Sequence, residues 1–415
     1  MASHATLIFK NIFAVFGLTI PRFRRSNVVR DDVEHSGGWQ ESLEDVDESP
    51  YGDRNRAALA TPKFPMGDTI THEKFYQEWY YIKMIGQGGD GQVHGYRSVT
   101  QKGTYIAVKL PRLKARKGLE QEIENMRLLG RYDHVLELLG VIDEWDPYGS
   151  AMILPWCKLG SLTAYRESWC DQQWHEGQPA RVSEITMYKL FRDMVLALNY
   201  LHHELGTCYV HGDFKPGNIL AVMDPGDSDH YRIPEEPIFK LADFSRMAPW
   251  PTPPGEQPKE FVGTPEFAPP LIEQIAPVHT SADIWALGAS LQFMALGHWP
   301  TESREAFIHR RKAEGRSFPV TNEEWREDHW RHQIPTVFRP LNVPVKVLQD
   351  DHDFPWNMPG YKPYGIRLSY WYAKLWKPVG GRPRASYLVA KAIPNMDRKV
   401  KRLKLQRLKE LSQDE

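Results

Sequence analysis

The stretch SADIWALGASLQFMALG, residues 281–297, constrains the fold more than any other part of the chain: as a helix it is apolar on nearly every face. A helix with no polar side must be enclosed by other structure. It falls short of the roughly 20 apolar residues of a membrane span, so it is expected as the buried central helix of a helical lobe. ITMYKLFRDMVLALNYLHHEL, from Ile185, is amphipathic and suits a neighbour packed against it. Before Gly160 the character differs. YYIKMIGQGGDGQVHGY, GTYIAVKL, VLELLGVIDEW and SAMILPW are short β-rich runs, and among them Leu119, Ile123, Met126 and Leu129 recur at helical spacing. The expectation is an α+β, two-lobed domain over residues 75–392, with a small β-rich lobe (75–157) and a larger, mainly helical one (158–392).

The flanks read differently. Residues 1–30 have no Asp or Glu but carry Lys10, Arg22, Arg24, Arg25 and Arg30, with Phe9, Phe13, Phe16 and Ile20 on one helical face. Either a transit or membrane-surface segment or an untargeted tail fits this pattern. Residues 31–67 turn acidic without apolar periodicity, so 1–74 is expected as a tail and linker without fixed structure. Residues 393–415 form a basic helix or tail with Val400, Leu403, Leu408 and Leu411 on one side. Lys plus Arg (52) nearly balance Asp plus Glu (53), so bulk charge gives no case for nucleic-acid or wholesale membrane binding. Cys157, Cys170 and Cys208 lack the spacing of a zinc site or a disulfide framework, which fits an intracellular, cytoplasmic or nuclear setting.

Gly86, Gly88 and Gly91 lie in GQGGDG, where the absence of Cβ atoms lets backbone N–H groups approach phosphate oxygens. A dinucleotide-binding turn would be followed by a helix. Here Val93 and the strand IAVK follow, which favours a hairpin flap over a nucleotide. Lys109, 23 positions after Gly86, is placed to hold phosphates if a carboxylate fixes it. Glu122 is the first choice on the following helix, with Glu120 and Glu124 as alternatives.

From about Tyr80 to about Ala390 the chain resembles the eukaryotic protein kinases of serine/threonine type, through GQGGDGQV, IAVK, HGDFKPGN, DFS, GTPEFAPPL and ADIWALG in that order. The resemblance implies a bilobal protein-kinase-like fold, ATP and Mg²⁺ as cofactors, and transfer to Ser/Thr hydroxyls of a protein substrate. It implies that Asp213 acts on the acceptor hydroxyl, that Lys215 neutralises the moving phosphoryl group, and that Asn218 and Asp243 hold the metal. Thr264 matches the residue that contacts the base in the serine/threonine class. Val93, Ala107, Leu154, Pro155 and Cys157 would surround adenine, Pro155 through its carbonyl and Cys157 through its N–H. Asp283 matches the central-helix aspartate that accepts backbone bonds from the catalytic loop.

The departures fall on regulatory positions. Gly212 stands where an arginine usually meets a phosphate on the activation segment, and residues 246–262 carry five prolines with Thr252 as their one Ser or Thr. Loop phosphorylation is therefore not expected to control activity. Ser245 replaces a glycine, which restricts the backbone there. Leu271 occupies the usual glutamate position opposite Arg382, leaving Glu273 as a possible substitute or Arg382 solvated. The polar loop DPGDSDHYRIPEEP is expected to project from its hairpin, and residues 300–370 to replace the usual substrate-docking helices. His329 and His332, without a third ligand, read as a surface pair. The alternatives are a catalytically weak nucleotide-binding scaffold and a kinase of small molecules, whose loop also reads H-G-D.

Overall fold

The computed structural model describes residues 68–88, 91–112, 115–145, 147–175, 181–224, 232–257, 260–349 and 361–412. The amphipathic pattern of residues 9–20 lies outside them. The small lobe is a six-stranded sheet in the order β1-β5-β6-β4-β3-β2. β2 (Trp79–Gln87), β3 (Gly91–Ser98) and β4 (Tyr105–Pro111) form an antiparallel meander, and β5 (Gly140–Trp145) and β6 (Gly149–Pro155) complete it. β4 is buried at nearly every position, as a central strand with both faces covered should be.

The described residues show ordered elements on the N-terminal side of residue 75. β1 (Asp68–Thr71) pairs in parallel with β5, and the Thr71 hydroxyl accepts from Lys74 N at the start of α1 (His72–Glu78). α1 buries Phe75 completely among Trp79, Tyr96 and Trp145, forming an aromatic cluster on the outer face of the sheet. The inner face packs on α2 (Arg116–Leu129) through Leu119, Ile123, Met126 and Leu129, the residues whose spacing predicted the helix.

The large lobe holds α3 (Leu162–His175), α4 (Glu184–Asn199), α5 (Thr280–Leu296), α6 (Arg304–Ala313), α7 (Ile366–Leu375) and α8 (Ala385–Leu411), counting helices of seven residues or more. Every residue of α5 from Ser281 to Leu296 is buried, so the helix expected at the centre is there. No helix among the described residues is long and apolar enough to cross a membrane. The short strands β7 (Tyr209–Val210), β8 (Ile219–Val222), β9 (Ile238–Leu241) and β10 (Ala248–Pro249) lie beneath the small lobe, β8 with β9 and β7 with β10.

Residues 225–231 of the loop expected to project between β8 and β9 lie outside the described residues; its last part is packed down, with Pro234 O accepting from the Tyr165 hydroxyl, Glu235 O accepting from Thr186, and Ile233 buried. The boundary expected at 392 falls inside α8, which packs along α4 with Val400 and Leu403 against the core.

Candidate active site

Strand register places the first elements of the site. Val93 faces Lys109 across β3 and β4, Ala107 faces Leu154, and Ile106 faces Pro155. Gly86 lies opposite Val93, and Gly88 N donates to Gly91 O at 2.9 Å. A Cβ on Gly91 would meet Leu110 O at 2.2 Å, whereas one on Gly88 would meet nothing within 4 Å among the described residues. Gly91 is thus required by the hairpin itself. Ala107, Leu154 and Cys157 are buried, and burial pushes the Cys157 thiol up to about 12, so it packs as a neutral group.

Lys109 Nζ lies 2.6 Å from Glu122 Oε2 and 3.3 Å from Asp243 Oδ1. Glu120 and Glu124 are exposed, so the helical phase of α2 selects Glu122. Burial alone would lower the Lys109 ammonium, but Glu122 and Asp243 outweigh it and hold its pKa above the ordinary value.

The loop 211–218 hangs from α5. Asp283 accepts the N–H of His211 at 2.9 Å on Oδ2 and that of Gly212 at 3.1 Å on Oδ1, and the His202 ring lies 2.9 Å from Oδ2. Asp213 N donates to His211 Nδ1, so that ring carries its proton on Nε2, 3.1 Å from Ala242 O. The buried Asp213 carboxylate accepts Thr264 N and Thr264 Oγ1, each at 2.7 Å, and Lys215 Nζ at 2.8 Å. Lys215 Nζ also reaches Thr264 Oγ1 at 2.7 Å. Asn218 Nδ2 donates to Asp213 O at 2.9 Å.

The β8–β9 hairpin brings the two remaining polar residues together. Ile219 pairs with Leu241, so Asn218 and Asp243 leave the same end, and Ala242 N donates to Asn218 O at 2.8 Å. Burial alone would raise the Asp243 carboxyl. Lys109 and the Ser245 hydroxyl, which donates to Oδ1 at 2.9 Å, instead bring it down to about 2. The donor set suits a hard cation: Asp243 stays ionised, and Asn218, with its nitrogen turned to Asp213, keeps its oxygen for another partner. Among the described residues no three His, Cys, Asp or Glu side chains converge on a metal position, so phosphate oxygens or water would complete such a shell.

Gly212 has φ 77°, and a Cβ there would lie 2.9 Å from Arg246 O. Glycine therefore answers a local requirement besides removing the arginine. β10 pairs with β7, and Trp250 N donates to Cys208 O at 2.8 Å, which ties the segment after Ser245 to the strand leading into the loop. At the segment's far end Glu273 holds Arg382 through two contacts of 2.9 Å, and Arg382 also donates to Ser281 O and Lys377 O. Of the two outcomes open from the sequence, substitution by Glu273 is the one observed; Leu271 points outward, 54% exposed. Arg331, from the 300–370 stretch, forks onto Glu266 at 2.9–3.1 Å. His329 is paired with Glu327 and His332 with Gln274.

Sequence reasoning missed two contributors. Asn125 Nδ2 donates to Phe244 O at 2.7 Å, and His202 supports Asp283. A polar residue inside the apolar stripe of α2 was the available signal for the first.

The protein kinase domain family matches residues 79–341, and the chain belongs to it. It is similar to the mitosis inhibitor protein kinase wee1 of Schizosaccharomyces pombe, 28% identical over 216 residues, covering 51% of this chain and 21% of that protein. Serine/threonine-protein kinases GRIK2 and GRIK1 of Arabidopsis thaliana are 29% and 30% identical over 253 and 254 residues. These matches cover 56% and 58% of this chain and 54% and 57% of those proteins. The chain thus spans less than two thirds of the length of these relatives.

Proposed function

We propose that this kinase transfers the γ-phosphoryl group of ATP to Ser/Thr hydroxyls of proteins, with Mg²⁺, and without control by phosphorylation of residues 246–262. The observation that carries the reading is the pair of closed networks: Lys109 with Glu122 and Asp243, and Asp213 with Lys215 and Thr264. Asp213 orients the acceptor hydroxyl and takes its proton. Lys215 offsets charge building on the phosphoryl oxygens, and Lys109, fixed by Glu122, holds the remaining phosphates. Asn218 and Asp243 would hold Mg²⁺, which supplies further charge neutralisation when bound.

The Thr264 hydroxyl between Asp213 and Lys215, and the serine/threonine names of two relatives, support a Ser/Thr acceptor. The β7–β10 pair and the prolines support a segment ordered without an added charge. Phosphate transfer from ATP with Mg²⁺ to a Ser/Thr protein, wild type against Asp213→Asn, tests the reading. Transfer by the wild type alone is expected. ATP binding by both without transfer by either would overturn it.

A further inference from the structure

Asp243 has φ 63°, a region a non-glycine residue occupies only when its surroundings over-determine it. Two of its restraints are Lys109 Nζ and Ser245 Oγ, both on Oδ1. A third acts on the next residue, whose carbonyl, Phe244 O, accepts from Asn125 Nδ2 at 2.7 Å. Asn125 follows Glu122 by three residues on α2, so both leave one face of the same helix toward the large lobe. Gln121 Nε2 donates to Asn125 Oδ1 at 3.2 Å, which fixes the amide with its nitrogen toward Phe244. Asn125 and Phe244 are both buried, so the carbonyl would lose its donor with no water to replace it.

We propose that Asn125, seconded by Ser245, is a positioning residue that keeps Asp243 turned toward the phosphate site, by hydrogen bonds from neutral donors that need no charge on the segment 246–262. Its consequence for turnover rests on the phosphoryl-transfer reading; its consequence for the turn 243–245 does not. Ser245, at a position where glycine would leave the backbone free, thereby restricts the turn and donates to the carboxylate it orients.

The test uses the full chain with Asn125→Ala, Asn125→Asp (the same outline with the donor replaced by an acceptor) and Ser245→Gly. Hydrogen exchange of amides 243–248 in the nucleotide-free protein is expected to quicken about tenfold in both Asn125 variants and less in Ser245→Gly, the range for one lost buried bond. With ATP and Mg²⁺, kcat is expected to fall about tenfold while KM for ATP stays within about threefold, since alignment and not binding is lost. Wild-type exchange in Asn125→Asp would overturn the proposal, because shape without the donor would then suffice. If the wild type transfers no phosphate, the activity reading fails while exchange still decides the contact. If Asn125→Ala does not fold, unchanged exchange in Ser245→Gly and Asn125→Asp overturns the proposal, and faster exchange in both supports it.

Discussion

The two halves of the candidate active site are anchored in different ways. The loop 211–218 takes its supports from its own lobe: Asp283 holds the backbone of His211 and Gly212, while Thr264, Lys215 and Asn218 surround Asp213. The turn 243–245 takes two of its supports from the other lobe, Lys109 on β4 and Asn125 on α2. The first half is complete once the helical lobe has folded, and the second only when the lobes are set against each other. Chemistry and alignment are therefore separable by mutation.

The largest break is Asp213→Asn, expected to slow transfer by about 10²–10⁴-fold with ATP affinity unchanged, read from rates beside a nucleotide titration. Lys109→Met strikes the cross-lobe half and leaves Glu122 and Asp243 without their cation. A cost of about 3–5 kcal/mol in denaturant unfolding is expected, with weakened ATP binding that the first variant does not show. Asp283→Asn retains one side-chain acceptor oxygen for two N–H groups. About 1–3 kcal/mol of stability should go, with hydrogen exchange in α2 unchanged if the loop is anchored within one lobe.

Acid sharpens the contrast. Asp243 is held at about 2 against an ordinary 3.8, so its ionised form stabilises the fold fully above pH 3.8, and that stability is lost as pH falls through about 2. The melting temperature of the wild type minus that of Asp243→Asn should be level above that window and narrow within it. A difference that stays level would show that Lys109 does not hold the turn. Smallest of all is Thr252→Ala, for which transfer within about twofold of wild type is expected of a segment ordered without phosphate. Loss of most activity would show that residues 246–262 need a charge after all.

Much of this was legible in the sequence because it lies in contiguous stretches. IAVK, HGDFKPGN and DFS each place their polar residues within a few positions, and the apolar run 281–297 announces its own burial. The unread parts join distant residues. Arg382 meets Glu273 across 109 positions, and only the short helical turn Leu271–Gln274 brings that carboxylate, and not Leu271, to face it. Asn125 bonds a backbone carbonyl 119 residues away, and a carbonyl has no signature in a sequence. The strand Asp68–Thr71 pairs with Gly140–Asp143 and carries no alternation of its own, so nothing local announces it.

The packing of α8 sets an order of events in folding. Its residues Leu388, Ala392, Ile393 and Met396 are buried in the core beside α4, and Arg407 forks onto Glu235 at 2.5 and 3.0 Å. At a synthesis rate of about 5–20 residues per second, α4 emerges ~10–40 s before the helix that covers it. During that interval the outer face of α4 is open to other apolar surfaces, so the arrival of α8 closes a vulnerable period of the domain's birth.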